Sequence, residues 1–248
     1  MINCIYLAWQ DQKTKRWHVI GRLSRIPEGY EFRYTKGVKK IPSFSPMPNM
    51  TNYEETYKSS ELFSLFKNRL MPKSRPEYRD YMTWLGFEEN NVVLDNLEVL
   101  AISGGERETD FFRIIPVPEK NHKGDYSIKF FVHGLSHMSD VAKQVMKNLN
   151  EGDSLYLAHD FQNKVDSLAL ILRTEDPPFI VGYMPSYFTK IIHKLGNGNN
   201  NLLSSIKVNV LRVNKTAPEK MQLLCQLSGP FLDKSWEEYE EEFCVIST

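Results

Sequence analysis

The chain has 248 residues, 41% of them hydrophobic, and its 31 Lys+Arg are balanced by 31 Asp+Glu. That length accommodates two modest domains with buried cores, and the zero formal charge excludes a global polyelectrolyte attraction to nucleic acid. Cys4, Cys225 and Cys244 have no metal-ligand spacing, so reduced thiols in a cytoplasmic protein are expected. The N-terminal stretch lacks the long apolar core of a signal peptide, and no run approaches the roughly 18 apolar residues of a membrane span, so no membrane partner is expected. Charge is unevenly spread. Residues 1–50 carry nine Lys/Arg against three Asp/Glu, whereas residues 231–248 carry one against six.

Ile2–Ala8, Trp17–Leu23 and Tyr30–Tyr34 read as strands joined by short polar connections, which makes antiparallel hairpins. Pro42, Pro46 and Pro48 force an extended passage around Phe44. Ser60 suits the cap of a helix through Leu62, Phe63, Leu65, Phe66 and Leu70, with Pro72 just beyond its end. Pro76 opens another helix that ends at Gly86, and Leu94–Ile102 predicts a further one before Gly104. Residues 106–128 mix charge and proline and hold the domain boundary, with Phe111–Val117 a candidate first strand of the second domain.

From Lys129 the pattern is strand, helix, three strands, helix. Ser139 caps the first of these helices, and Val141, Val145, Met146 and Leu149 recur at its helical spacing. Leu155–Leu157, Leu168–Leu172 and Phe179–Tyr183 are apolar runs separated by the turn formers DFQNK and TEDPP. Pro185 starts a helix carrying Phe188, Ile191, Ile192 and Leu195. GNGNNN at 196–201 reads as a polar loop, and Ile206–Val213 and Met221–Leu227 as two more strands. The acidic tail has aromatics interleaved. The plain reading is that it solubilises the C-terminus, beside masking the basic first hairpins or mimicking nucleic acid.

Enzyme signatures are missing. The six histidines form no HExxH, and there is no GxSxG elbow and no Walker-type glycine loop. Asp160 and Asp166 lie close in sequence, but Asp166 fits a turn better than a nuclease carboxylate cluster. No catalytic residue, metal or cofactor is expected. Arg22, Arg25, Arg33, Lys36, Lys39 and Lys40 read as a solvated hairpin surface, with a basic binding face the other reading.

Four short motifs in order, GLSH at Gly134–His137, GDSLYL at Gly152–Leu157, Asn163-x-x-Asp166-x-x-Ala169 and VGYMP at Val181–Pro185, resemble a HIRAN domain. The resemblance implies a small SH3/OB-like β-barrel with two helices. In the best-understood members it also implies capture of a free 3′ end of single-stranded DNA beside the Asn-x-x-Asp turn. Asn163 and Asp166 then have two readings: they hold a tight turn through local backbone amides, or they accept from a sugar hydroxyl or a base edge. Ser136, His137, Phe161, Tyr183 and Tyr187 are the candidate contacts to sugar and bases, and Lys164, Lys190 and Lys194 the candidates for phosphates. Val165 stands where better-known members place an aromatic, and Ser136 and His137 where they offer Arg and Tyr.

VIGRLSRIPEGYEFRYTKG, SPMP, the ELFSLFKNRLMP and RPEYRDYMTWLG helices and NLEVLAISGG resemble the small N-terminal subdomain of HipA-type proteins, without the kinase body. The fold expectation is therefore α+β and β-rich, with a HipA-subdomain-like domain at 1–108, a HIRAN-like barrel at 109–230 and an acidic tail at 231–248. The functional expectation is a non-enzymatic protein that binds single-stranded DNA or DNA ends and docks a kinase, helicase or nuclease, in DNA repair or phage defence. The alternative is a toxin–antitoxin-like interaction module that touches no DNA.

Overall fold

A computed structural model describes residues 2–87, 94–120, 126–196, 205–229 and 235–246. The predicted GNGNNN loop lies outside the described residues apart from Gly196. The fold is α+β and β-rich, and contacts divide it into two units: Met1–Lys73 with Val93–Val117 and Lys234–Thr248, and Ser74–Val92 with Pro118–Asp233. No helix among the described residues is long and apolar enough to cross a membrane.

The first unit holds an antiparallel sheet of β1 (Cys4–Gln10), β2 (Trp17–Ile26), β3 (Gly29–Tyr34), β4 (Thr56–Ser59) and β5 (Phe112–Ile115), ordered β4-β3-β2-β1-β5. Helices α1 (Ser64–Lys67), α2 (Tyr78–Trp84) and α3 (Asn96–Ser103) come between β4 and β5 in sequence. Alternation along β3 turns Phe32 and Tyr34 inward against Ile5, Leu23 and Phe66. Tyr34 also ties down the proline passage: its hydroxyl accepts from the Met47 amide and donates to the Met50 carbonyl, both at 2.8 Å. Burial raises that phenol to about 12. Helix α3 is capped as its sequence suggests, with Asp95 Oδ1 accepting from the Leu97 amide and Gly104 in the left-handed region at its end.

Several sequence expectations need correction here. Helix α1 is shorter than predicted and has Phe63, not Ser60, at its N-cap. The boundary falls after Val117 and not at 109, because Phe112–Ile115 pairs with β1 and completes the first sheet. The tail is no separate segment. Trp236, Phe243 and Ile246 are buried, and Trp236 Nε1 donates to the Pro116 carbonyl at 2.8 Å. Its acids meet the basic hairpins in the pairs Arg22–Glu237, Lys36–Glu241 and Lys40–Glu242. The tail therefore covers part of the face that the sequence reading left solvated.

The second unit contains β6 (Glu119–Lys120), β7 (Tyr126–Phe131), α4 (Asp140–Lys147), β8 (Ser154–His159), β9 (Leu170–Arg173), β10 (Ile180–Tyr183), α5 (Ser186–Gly196), β11 (Lys207–Val213) and β12 (Leu223–Ser228). It also takes α2, which the HipA-like resemblance placed in the first domain. Asn214 Nδ2 donates to the Trp84 carbonyl at 2.9 Å and holds that helix end. The curled half-barrel sheet runs β10-β9-β8-β11-β12-β7-β6, and an antiparallel bridge between His133 and Tyr183 joins the chain just beyond β7 to β10. Gly182 permits that closure. A Cβ there would lie 2.3 Å from Val132 Cγ1 and 2.9 Å from the His133 carbonyl oxygen.

Candidate nucleic-acid interface

The β8–β9 connection is a staircase of side-chain-capped turns, because Asp160, Asn163 and Asp166 recur every three residues and each accepts from amides just ahead of it. Asp160 Oδ1 accepts from the Gln162 amide at 3.2 Å. Asn163 Oδ1 accepts from the Val165 and Asp166 amides at 3.0 and 2.9 Å, and Asp166 Oδ1 from the Leu168 amide at 2.9 Å. These are the local bonds that Asx residues form in turns. They fill both acceptor positions of the Asn163 carbonyl. Asp166 retains Oδ2, which receives no bond among the described residues.

Asp160 is the hub. Its Oδ2 accepts from the Tyr183 hydroxyl at 2.9 Å and from Asn163 Nδ2 at 3.2 Å. The Tyr183 hydroxyl, with help from Asn163 and the Gln162 amide, holds the Asp160 carboxyl below its ordinary value. Burial and then the Asp160 carboxylate push the Tyr183 phenol up. Gly134, at φ +71°, stands against the Tyr183 ring, where a Cβ would lie 2.8 Å from Cδ2. Tyr183 thus joins the GLSH turn to the staircase.

Two histidines complete the frame. His159 Nε2 lies 3.1 Å from the Ser167 carbonyl and His193 Nε2 3.0 Å from the Leu168 carbonyl. A carbonyl only accepts, so Nε2 is the donor in both contacts. The rings meet at 4.8 Å, which ties α5 to the turn. His159 also receives the Phe161 ring edge-on at 4.1 Å.

Of the residues predicted from sequence, Tyr183 and Asn163 sit inside this network and Asp166 on its last step. Phe161 and Lys164 project from it, and Phe161 is 86% exposed. Ser136 and His137 are exposed on the 3₁₀ turn Leu135–His137 that follows Gly134. Tyr187 is half-buried on α5 beside the Phe188 ring, and Lys190 is exposed one helical turn before His193. Sequence reasoning missed the roles of Asp160, His159 and His193. The three-residue period of Asp160, Asn163 and Asp166 was the available signal for the first. Among the described residues no group of three His, Cys, Asp or Glu side chains is placed to hold a metal.

No family model matches the chain, and no curated protein matches it. Two solved structures are similar over part of it. One is a protein from Lactobacillus plantarum, 18% identical, covering 43% of this chain and 97% of that one with a TM-score of 0.32. The other is the HIRAN domain of human HLTF, 14% identical, covering 48% of this chain and 91% of that one with a TM-score of 0.35.

Proposed function

We propose that the second unit is a non-enzymatic module that binds single-stranded DNA, with the free 3′ end seated at the Asp160–Asp166 staircase. The observation that carries this reading is Phe161. A phenyl ring 86% exposed and braced against His159 is a stacking platform, and it stands on a turn that Asp160 and Asn163 hold through their own main-chain and side-chain bonds. Val165, 97% exposed, lies on the same turn.

Chemistry favours an end over an internal nucleotide. The unspent Asp166 Oδ2 accepts from a hydroxyl and repels a phosphate, so a free 3′-hydroxyl suits it. Lys164 and Lys190, exposed and in no ion pair among the described residues, supply cations for the backbone leading to that end. The HIRAN-like motifs of the sequence imply the same ligand. Asn163 changes role in this account. Its carbonyl is filled by main-chain amides, so it holds the turn and leaves recognition to Asp166.

The test is fluorescence anisotropy at low salt with 5′-labelled single strands whose 3′ end is free or phosphorylated. Tighter binding of the free end is expected. Equal affinity removes end recognition, and the absence of any signal removes DNA binding.

A further inference from the structure

The tail meets, one after another, the cations that the first hairpins carry. Main-chain and apolar contacts set it there. Val245 bridges Thr35, the Ile246 amide donates to the Tyr34 carbonyl at 2.9 Å, and the Lys36 amide donates to the Cys244 carbonyl at 2.8 Å. Trp236 and Phe243 are buried, and the Phe243 ring makes a T-shaped contact with Tyr6 at 4.8 Å. On this frame Glu237 takes Arg22, Glu241 takes Lys36 at 3.1 Å, and Glu242 lies 3.9 Å from Lys40. The Lys36 bond holds the Glu241 carboxyl below its ordinary value, with the charges of Lys40 and Lys39 adding to it. Arg33 Nη2 donates to the Ile246 carbonyl at 3.2 Å. Of Arg22, Arg25, Arg33, Lys36, Lys39 and Lys40, Arg25 alone turns elsewhere, to Asp95.

These carboxylates contribute little to the fold. Lys36–Glu241 is an exposed pair, of a kind that adds almost nothing to stability. Glu242 is buried for a partner at 3.9 Å, beyond hydrogen-bond range, so its desolvation is poorly offset. Their effect is on the field. Without them Arg22, Arg33, Lys36, Lys39 and Lys40 form a cationic cluster, the electrostatic footprint of a surface that takes a nucleic-acid backbone whatever its sequence. Such binding competes with recognition of an end, because internal phosphates far outnumber ends.

We infer that the tail is an intramolecular polyanion: its glutamates stand where backbone phosphates would lie on the basic face of the first unit, and they keep duplex and internal DNA off that face. The inference concerns the first unit alone and does not depend on end binding by the second.

The test uses the whole chain and a labelled, covalently closed dumbbell duplex, which has no free end. Glu237→Gln/Glu241→Gln/Glu242→Gln keeps the aromatic anchors and removes three charges. By anisotropy at 50 mM NaCl it should bind the dumbbell at least about tenfold more tightly than the unmodified chain, and its plot of log K against log salt should be steeper by about 2.7, the value for three phosphates. Adding Lys36→Gln/Lys39→Gln/Lys40→Gln should abolish the gain. Glu28→Gln/Glu54→Gln/Glu55→Gln, at exposed positions elsewhere on the first unit, gives the same net charge and should gain nothing. The inference is overturned by a folded triple variant that binds no better, by a gain that survives loss of the three lysines, or by an equal gain in the Glu28/Glu54/Glu55 control. If the first variant loses its near-ultraviolet circular dichroism, Glu241→Lys, a change at a side chain 71% exposed, is judged by the same three criteria.

Discussion

Phe161→Ala separates binding from folding more cleanly than any other change in the proposed interface. The ring is 86% exposed, and among the described residues its ring contact is a T-shaped one with His159 at 4.1 Å, so little buried surface is lost. Surface substitutions of this kind stay within about 0.5 kcal/mol, and the aromatic contact adds about 0.5 kcal/mol at its weak, solvated end. Unfolding in urea should therefore shift by no more than about 1 kcal/mol. Base stacking is worth about 1–3 kcal/mol, which weakens single-strand affinity by about 5- to 150-fold. Anisotropy of a labelled oligo-dT with a free 3′ end measures the loss. The salt dependence should keep its slope, because Lys164 and Lys190 are untouched and the released counterions are the same. An unchanged Kd in a variant of unchanged stability would refute stacking on Phe161 and with it the main support for the DNA reading.

Val165→Tyr is the converse experiment. Val165 is 97% exposed, so an added ring costs the fold nothing and should tighten the same oligonucleotide at least about fivefold if a base lies over the turn. Tyr183→Phe removes the chief cause of the depressed Asp160 carboxyl. A depressed folded value stabilises above the unfolded one, near 3.9, and that stabilisation is lost as pH falls through the folded value, so the window lies below about pH 4. In the variant the Asp160 carboxyl should titrate higher by NMR, closer to its ordinary value, and an identical titration would show that the hydroxyl does not hold it. Trp236→Ala should cost about 3–5 kcal/mol, with a further contribution from the Pro116 carbonyl left without its donor. Equilibrium unfolding followed by exchange at β1 and β5 amides reads it, and a loss below about 1 kcal/mol would return the tail to a solubilising role.

What the sequence made legible was local. Ser139 caps α4 through the Ala142 amide, and the alternation in YEFRY buries Phe32 and Tyr34, because a cap and a pleat depend on residues a few positions apart. What stayed hidden were choices of distant partner. Phe112–Ile115 was readable as a strand, yet the sheet it joins is set by its register with β1, more than a hundred residues earlier. The tail misled for a related reason. The five glutamates from Glu237 to Glu242 outweigh Trp236, Tyr239 and Phe243 in any reading of composition, and nothing local shows that Arg22, Lys36 and Lys40 receive three of them.

The same division runs through the candidate interface, and it determines which atoms remain for a ligand. Asn163 and Asp166 were recognisable as turn residues, but whether their oxygens are free depends on where the next two or three amides point, and those of Val165, Asp166 and Leu168 point at them. Asp160 was undervalued because its decisive partner, the Tyr183 hydroxyl, is 23 residues away on another strand. Once these bonds are counted, the groups left over include one carboxylate oxygen on Asp166, the exposed faces of Phe161 and Val165, and the lysines at positions 164 and 190. A turn that spends most of its polar atoms on itself becomes rigid, and rigidity is what an exposed aromatic needs if stacking is not to be offset by the entropy of ordering it. On this account the staircase contributes to binding chiefly by holding Phe161 still, so Asn163→Ala should weaken single-strand affinity although Asn163 touches no nucleotide. Loss of affinity without loosening of the Phe161 side chain, read from its NMR order parameters, would instead assign Asn163 a direct contact.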